Sequence, residues 1–129
     1  MTNYSPKEED EQRAFVQYLR MRNIPHHHCA NESNSGTRNA MIRGAKMKSL
    51  GTSRGFPDLL IFLPIYDVFD EIGAYRPLAI ELKRQKGGAV SSEQKEWLER
   101  LNLAGIPAKV CRGCEEAIKF LEQVEREEF

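Results

Sequence analysis

The segment PLAIELKRQKGG, residues 77–88, carries charges where a buried strand should carry apolar side chains. Glu81 and Lys83 lie two residues apart, so on a strand they share one face, and Ile80 and Leu82 share the other. A partly buried carboxylate needs a cation, a hydrogen bond or a metal ion to compensate its charge. The pattern therefore predicts either a cross-strand ion pair on a surface face or a site at which the two charges take part in chemistry.

A second carboxylate precedes the other apolar strand of the sequence. Asp58 follows a Gly-Phe-Pro turn and begins the run DLLIFL, residues 58–63, so its side chain is expected at a strand end where a cleft can open. If the two strands pair in a suitable register, Asp58 and Glu81 meet, and two adjacent carboxylates repel unless a proton or a cation joins them. Mg²⁺ binds through a few carboxylates together with water and substrate phosphates. The pair predicts a divalent-metal site, with Lys83 facing the same substrate.

Four strands and four helices are predicted to position these residues. Ser5 and Pro6 open a helix that Asn23 and Pro25 end, and Ser91 or Ser92 caps another that Gly105 stops. A weak helix is predicted over 40–51 and an amphipathic one over 114–128, and residues 66–75 form an excursion or a hairpin. The predicted strands are residues 26–30, 58–63, 77–83 and 106–111. The order predicts an α/β or α+β fold in which a central mixed β-sheet lies between helices.

The bulk composition is that of one ordinary globular domain. The chain has 129 residues, and its longest apolar run, residues 59–66, is far shorter than the ~20 residues of a membrane-spanning helix. The start of the sequence carries no apolar signal segment, and the three cysteines suggest no oxidising compartment. We expect a cytoplasmic protein that does not act at a membrane.

The charge is unevenly placed although the net charge is zero. Residues 37–55 are basic and hold no acidic residue, KRQK at 83–86 adds more positive charge, and the acidic residues collect near both ends. This distribution is compatible with a face that binds a polyanion and equally with a solvated surface. From composition alone, residues 84–88 suggest a flexible basic segment leading toward DNA.

The residues around Asp58 and Glu81 resemble the motif of a known nuclease group. Pro57-Asp58 followed after a gap by Glu81-Leu82-Lys83 resembles the motif of the PD-(D/E)XK nuclease superfamily. The flanking segments GAKMKSLGTSRGFPDLLIF and LAIELKRQKGGAVSSEQKEWLERLNLAGIPAKVC are similar to its VRR-NUC branch, the virus-type replication-repair nucleases. The resemblance runs from about Glu8 to about Leu121. It implies a restriction-endonuclease-like core in a single domain over residues 1–129, of the stand-alone type found in phages and prophages.

The resemblance also assigns the catalytic centre by position. Asp58 and Glu81 match the metal-ligating acids, and the backbone carbonyl of Leu82 completes the protein's share of the coordination. Lys83 matches the lysine that orients the attacking water or stabilises the phosphorane. Glu8 matches an acid of the first helix that approaches the metal, although Glu11 in the same acidic run is an alternative.

Further positions follow from the same match. Asn31 and Glu32 correspond to a strand-end pair beside the site, with Glu32 a further candidate metal ligand and Asn31 a DNA contact. Gln94 corresponds to a glutamine that contacts the site or a phosphate. By their charge, and not by the family match, the basic residues expected to bind flanking phosphates are Lys46, Lys48, Arg54, Arg84 and Lys86.

The resemblance implies a DNA endonuclease that depends on Mg²⁺ or Mn²⁺ and uses no organic cofactor. Its expected substrate is branched, flap or Holliday-junction-like DNA in replication, repair or recombination, and it is expected to act as a homodimer. Two alternatives stay open. One is a non-catalytic nucleic-acid-binding module with a nuclease-like fold. The other is an interaction domain in which Glu81 and Lys83 form only an ion pair.

Two other groups of potential ligands are interpreted as structural. Consecutive strand residues point to opposite faces, so His26, His27 and His28 cannot all converge on one ion, although one of them can lie near the site beside Glu32. Cys111 and Cys114 supply half of the ligands that zinc requires and lack a thioredoxin-like context. Trp97 is expected in the core or in a dimer interface.

Overall fold

The computed structural model describes residues 7–29 and 38–127. The elements are α1 Glu8–Met21, β1 His26–His28, α2 Arg38–Ser49, β2 Leu59–Tyr66, β3 Ile72–Lys83, α3 Ser92–Leu103, β4 Ala108–Arg112 and α4 Cys114–Arg126. The predicted order of helices and strands is confirmed. Within the described part of the chain, no helix has the length and apolar character needed to cross a membrane.

The four strands form one mixed sheet in the order β1-β2-β3-β4. β1 pairs with β2 and β2 with β3 in antiparallel fashion, whereas β3 and β4 are parallel and connected through α3. Helices pack on both faces of this sheet. The predicted mixed sheet flanked by helices is therefore confirmed.

The core follows from the alternation of side chains along the strands. Leu59, Ile61 and Ile80 point to one face, where α1 and α4 cover them with their apolar stripes. The fully buried residues of these two helices on this face are Phe15, Leu19, Ala117, Leu121 and Val124. On the other face, α3 packs Leu101 against Ala79 and Ala108. Both faces of β3 are thus packed at its carboxyl end, where Glu81 and Lys83 lie, and this packing fixes the strand that carries them.

The region between the two central strands is a hairpin, which was one of the two predicted forms. Strand pairing continues from Leu59↔Ile80 to Tyr66↔Ile72, so the strands are longer than the predicted 58–63 and 77–83. The sequence prediction missed these ends because their side chains are largely exposed and show no apolar alternation. The turn is built on Asp67, whose Oδ1 accepts hydrogen bonds from the backbone N–H groups of Phe69 at 2.8 Å and Glu71 at 3.0 Å.

Several predicted boundaries need correction. α2 spans Arg38–Ser49 and not 40–51, and β4 spans Ala108–Arg112 and not 106–111. α1 begins at Glu8 with Lys7 at the N-cap, because the first helical hydrogen bond runs from Glu11 N–H to the Lys7 carbonyl. Ser5 and Pro6, the predicted start, lie outside the described residues. β1 ends at His28 and not at residue 30, since only residues 26–28 pair with β2. Of the two residues predicted to cap α3, Ser91 and Ser92, Ser91 is the N-cap.

Candidate active site

Asp58 and Glu81 meet because their strands pair antiparallel. Leu59 lies opposite Ile80, which brings the residue before β2 next to Glu81 on β3. The Leu82 N–H donates to Asp58 Oδ2 at 2.9 Å, and the Asp58 N–H donates to Glu81 Oε2 at 3.2 Å. Each carboxylate is thus fixed by the main chain of the other strand. The sequence predicted this meeting, and the structure brings the two residues together.

The Asp58–Glu81 pair is electrostatically unfavourable, because two carboxylates lie side by side and partly out of contact with water. Glu81 is 2% exposed, and burial together with the charge of Asp58 raises its pKa to about 8. Burial also raises the pKa of Asp58, although the Leu82 N–H, Lys83 and His28 oppose that rise. Two adjacent carboxyl groups, one buried and one half-buried, that resist joint ionisation are typical of a site whose negative charge is balanced by a bound cation or proton.

Lys83 supplies part of that balance. Its Nζ lies 3.6 Å from Glu81 Oε1, and its side chain is 12% exposed. The ion pair required by one alternative interpretation is therefore present. It is not a surface pair, however, because Glu81 also accepts two hydrogen bonds and is buried.

Gln94 reaches the same carboxylate from α3. Its Nε2 donates to Glu81 Oε1 at 2.7 Å, and its Oε1 accepts from the Ser91 N–H at 2.9 Å. The Gln94 N–H in turn donates to Ser91 Oγ at 3.1 Å, completing a capping box. One amide thus both caps α3 and holds Glu81, and the predicted proximity of Gln94 to the site is what the structure shows.

The turn before Asp58 docks on the same helix. Gly55 has φ +86°, and a Cβ there would lie 2.6 Å from the backbone carbon of Glu93. Next to it, the Phe56 ring packs edge-to-face on Trp97 with 5.1 Å between the centroids. Trp97 is therefore a half-buried residue of α3 that packs against the turn before Asp58 and helps to hold that turn in place. Sequence reasoning read GFP only as a turn and missed this contact, for which the glycine was the available signal.

The two acids proposed for the first helix have different surroundings. Glu8 is half-buried, and burial first and Asp58 second raise its pKa, which places its charge near the carboxylate pair. Glu11 is 6% exposed and accepts hydrogen bonds from Gln85 Nε2 at 3.0 Å and from the Cys114 N–H at the start of α4. Glu11 thus ties α1 to α4, and Glu8 is the acid that faces the site.

A cleft opens beside the pair, between α1 and the end of β1. It has a volume of about 770 Å³ and includes Glu8, Asp58 and His28 in its walls. His28 is the histidine of the triplet that lies near the site, since it lines this cleft together with Asp58. By contrast, His26 Nδ1 lies 2.9 Å from the Ile24 carbonyl oxygen, away from any shared ion.

The predicted DNA-contact residues fall on three exposed segments. Lys46 and Lys48 lie on α2, and Arg54 lies in the turn before Gly55. Arg84 and Lys86 follow β3 directly. Asn31 and Glu32 lie outside the described residues.

The segment after Lys83 is held in place and is not a free exit, contrary to its composition. The Arg112 guanidinium donates to the carbonyl oxygens of Gly87 at 2.5 Å, Gly88 at 3.1 Å and Arg84 at 3.5 Å. Arg112 lies opposite Lys83 in the parallel β3–β4 register. The sequence carried no signal for this role, because the acceptors are backbone groups.

The cysteines behave as structural residues. Cys111 is fully buried in the core, and this burial raises its pKa to about 12. Cys114 is the first residue of α4, and Cys29, Cys111 and Cys114 are all free thiols. A buried thiol of high pKa is a poor metal ligand and nucleophile.

The carboxylate pair fits a hard divalent cation. Carboxylate oxygens are the donors that Mg²⁺ and Mn²⁺ prefer, and here burial together with the charge of Asp58 raises the pKa of Glu81. No group of three or more His, Cys, Asp or Glu side chains within residues 7–29 and 38–127 is arranged to hold a metal. A cation here would therefore take its other ligands from the main chain, water or substrate, as Mg²⁺ commonly does.

Comparison with known proteins matches the chain to a family model and to solved structures. A family model described as "VRR-NUC domain" matches residues 34–115, which include Asp58, Glu81, Lys83 and Gln94. A solved structure titled "VRR_NUC domain protein" superimposes with a TM-score of 0.68 at 22% sequence identity, covering 93% of this chain and 88% of that chain. At that identity the likeness shows the fold. No curated protein matches the chain.

Proposed function

Because the chain belongs to the VRR-NUC domain family, whose members are of nuclease type, we propose that it is a metal-dependent DNA endonuclease that hydrolyses phosphodiester bonds. The observation that carries the proposal is the pair of half-buried Asp58 and buried Glu81, with Lys83 Nζ at 3.6 Å from Glu81 Oε1. The pair accumulates negative charge at the edge of a cleft, which is the charge that a divalent cation and a phosphate group would jointly neutralise.

Asp58 and Glu81 are the side chains that would hold Mg²⁺ or Mn²⁺, with the Leu82 carbonyl as the proposed main-chain ligand. The cation would supply Lewis acidity toward a phosphoryl oxygen and make water a stronger nucleophile. Glu8 adds a third negative charge near the site, as its interaction with Asp58 indicates. Glu32 remains a proposed further ligand outside the described residues.

Lys83 is proposed to stabilise the negative charge that develops on the phosphoryl oxygens. Its ammonium group is a compact charge, and its side chain is mostly buried, so water screens it little. Gln94 is proposed to orient Glu81 through its 2.7 Å hydrogen bond. The exposed cations on α2, before β2 and after β3 would bind the flanking phosphates, which makes DNA binding salt-dependent.

The proposed substrates are branched or flapped DNA, and the proposed assembly is a homodimer. One site of this kind is present in the described part of the chain, so cutting both strands of a branched molecule would need two copies. Analytical ultracentrifugation at micromolar concentration tests the assembly. A sedimentation coefficient that stays at the monomer value across the concentration series contradicts it.

Cleavage assays test the activity. Wild-type protein, Asp58→Ala and Lys83→Ala are incubated with branched, flapped and linear DNA, with Mg²⁺, with Mn²⁺ and with a chelator. We expect cleavage only by the wild type and only with metal. Cleavage that survives chelation or both substitutions would show that the proposed site is not the catalytic one.

The same assay, with DNA binding measured beside it, addresses both alternatives. A non-catalytic nucleic-acid-binding module would bind the DNA substrates under every metal condition and cut none of them. An interaction domain in which Glu81 and Lys83 form only an ion pair would neither bind nor cut them.

A further inference from the structure

The cleft beside Asp58 extends well past the carboxylate pair, along α1. Its long wall is formed by side chains at helical spacing, Gln12, Val16 and Arg20, with Gln17 beside them. From Glu8 to Arg20 this wall runs for roughly 18 Å at the helical rise of 1.5 Å per residue. A carboxylate pair alone does not need so long a groove.

The chemistry of the groove changes along its length. The end at Asp58 and Glu8 is acidic, the middle presents two glutamine amides and the apolar side chain of Val16, and the far end is cationic at Arg20. Arg13 also lines the groove but forms ion pairs with Glu9 and Asp10 on the same helix. A ligand matching this order carries a phosphate at the acidic, cation-binding end, a planar and partly apolar body in the middle, and another anion at Arg20.

A polynucleotide strand has this order of groups, and the size of the groove limits its form. A volume of about 770 Å³ lies in the range of roughly 300–1,000 Å³ that sites for drug-sized molecules occupy, and a nucleotide is such a molecule. Glutamine amides and an apolar side chain suit unpaired bases and sugars, which expose their edges and faces.

We infer that the groove along α1 binds a single-stranded DNA arm adjacent to the phosphate that lies at Asp58, with Arg20 as a phosphate contact. This inference rests on the proposed nuclease function and narrows its substrate class to DNA with an unpaired arm at the cleavage point. It differs from the expectation based on charge alone, which directed DNA to α2 and to residues 84–86.

The test measures binding and not cleavage. Fluorescence anisotropy with a chelator present compares a blunt duplex with the same duplex carrying a single-stranded arm, for wild type, Arg20→Ala and Arg100→Ala. Arg100 is the matched control because it is also an exposed arginine in the last turn of a helix, α3, which packs on the opposite face of the sheet.

We expect Arg20→Ala to weaken binding of the armed duplex roughly tenfold, the lower range for a hydrogen bond to a charged group. The slope of log affinity against log salt should fall by about 0.7, the value for one contact to a single-stranded phosphate. Binding of the blunt duplex, and all binding by Arg100→Ala, should match the wild type. Gln17→Glu, an isosteric change at an exposed position, should selectively weaken the armed duplex as well.

Equal losses on both DNAs, or no loss with Arg20→Ala and Gln17→Glu, would overturn the inference. Either result leaves the proposed function intact as long as the wild type cleaves DNA with Mg²⁺. Absence of cleavage by the wild type on every substrate removes the proposed function itself, so the two failures are distinguishable.

Discussion

Glu81 combines burial with charge in a way that a purely structural residue rarely does. It accepts hydrogen bonds from Gln94 and from the Asp58 backbone, pairs with Lys83 and still has a pKa of about 8. The remaining energetic cost comes from burial and from Asp58, and within residues 7–29 and 38–127 Lys83 and the Asp58 N–H offset it only in part. That cost is one that a bound cation can relieve, and it leads to a measurable dependence on pH.

The metal-free protein should lose stability as the pH rises from 5 to 8. The Glu81 pKa is raised from 4.5 to about 8 in the folded state, so the folded protein binds more protons than the unfolded chain over this window. One such proton lowers the free energy of unfolding by up to about 1.4 kcal/mol per pH unit. The raised pKa values of Asp58 and Glu8 act in the same direction.

Urea unfolding in a chelator at several pH values measures this slope, with Glu81→Gln as the control. The glutamine keeps the shape of the side chain but does not titrate, so its slope should be smaller. A wild-type stability that rises over the window, or that parallels the Gln variant, contradicts the prediction.

Gln94 allows its capping role to be separated from its hold on Glu81. In Gln94→Glu the side chain can still accept from the Ser91 N–H, but it can no longer donate to Glu81 and adds a charge beside it. We expect single-turnover cleavage to fall about 10- to 100-fold, the usual cost of losing a residue that orients a metal ligand.

Ser91→Ala is the complementary variant. It removes the cap at Ser91 Oγ and should cost about 1 kcal/mol of stability while the Gln94–Glu81 hydrogen bond remains. If the two variants reduce cleavage equally, Gln94 acts only through the stability of α3.

At the level of the elements, two backbone segments hold the site: the turn before β2 and the segment after β3. Arg112 on β4 holds the second through three backbone carbonyls. We predict that Arg112→Lys, which keeps the charge but loses the planar fork, raises amide hydrogen exchange in residues 85–88 roughly tenfold and weakens DNA binding.

The comparison with Arg112→Gln separates position from charge. If Arg112 acts by position, the Lys and Gln variants should have similar exchange rates. A Lys variant with wild-type exchange and wild-type affinity would show that only the charge of Arg112 matters.

Gly55 fixes the turn before β2 against α3, and the chain offers a matched control. Gly55 and Gly105 have nearly equal φ, +86° and +85°, but an added Cβ meets backbone only at Gly55, at 2.6 Å. Gly105→Ala should therefore cost about 1–2 kcal/mol from backbone strain alone. Gly55→Ala should cost more and should also reduce cleavage, because α3 carries Gln94.

Thermal unfolding and cleavage rates of both variants check this. Equal losses of stability, with full cleavage by Gly55→Ala, would mean that the contact with α3 does not position the site.

The sequence predicted the parts of this architecture that leave a local pattern. Apolar runs located β2 and β3, and the charges at Asp58 and Glu81 followed from strand alternation. Glu8 and Glu11 could not be separated, because both lie in one acidic run and only the packing of α1 on α4 buries Glu11. Arg112 and Gly55 were missed for the same reason: their partners are backbone groups distant in sequence, which no periodicity reveals.

For the whole molecule, the site lies where α1, the β2–β3 pair and α3 converge, so its charge acts on the stability of the entire fold. A ligand that binds only the folded state stabilises it by about 2.7 kcal/mol at a hundred times its dissociation constant. For a domain of this size, this corresponds to a rise of roughly 10 °C in the unfolding temperature. We expect Mg²⁺ and Mn²⁺ to produce such a rise in the wild type.

The double variant Asp58→Asn with Glu81→Gln provides the contrast. It removes both negative charges and keeps the side-chain shapes, so without metal it should unfold at a higher temperature than the wild type. Added metal should leave its unfolding temperature unchanged. Calorimetry over a metal titration measures both effects. Equal shifts in the two proteins would place the cation elsewhere, whereas a less stable double variant would mean that the hydrogen bonds of the pair outweigh its repulsion.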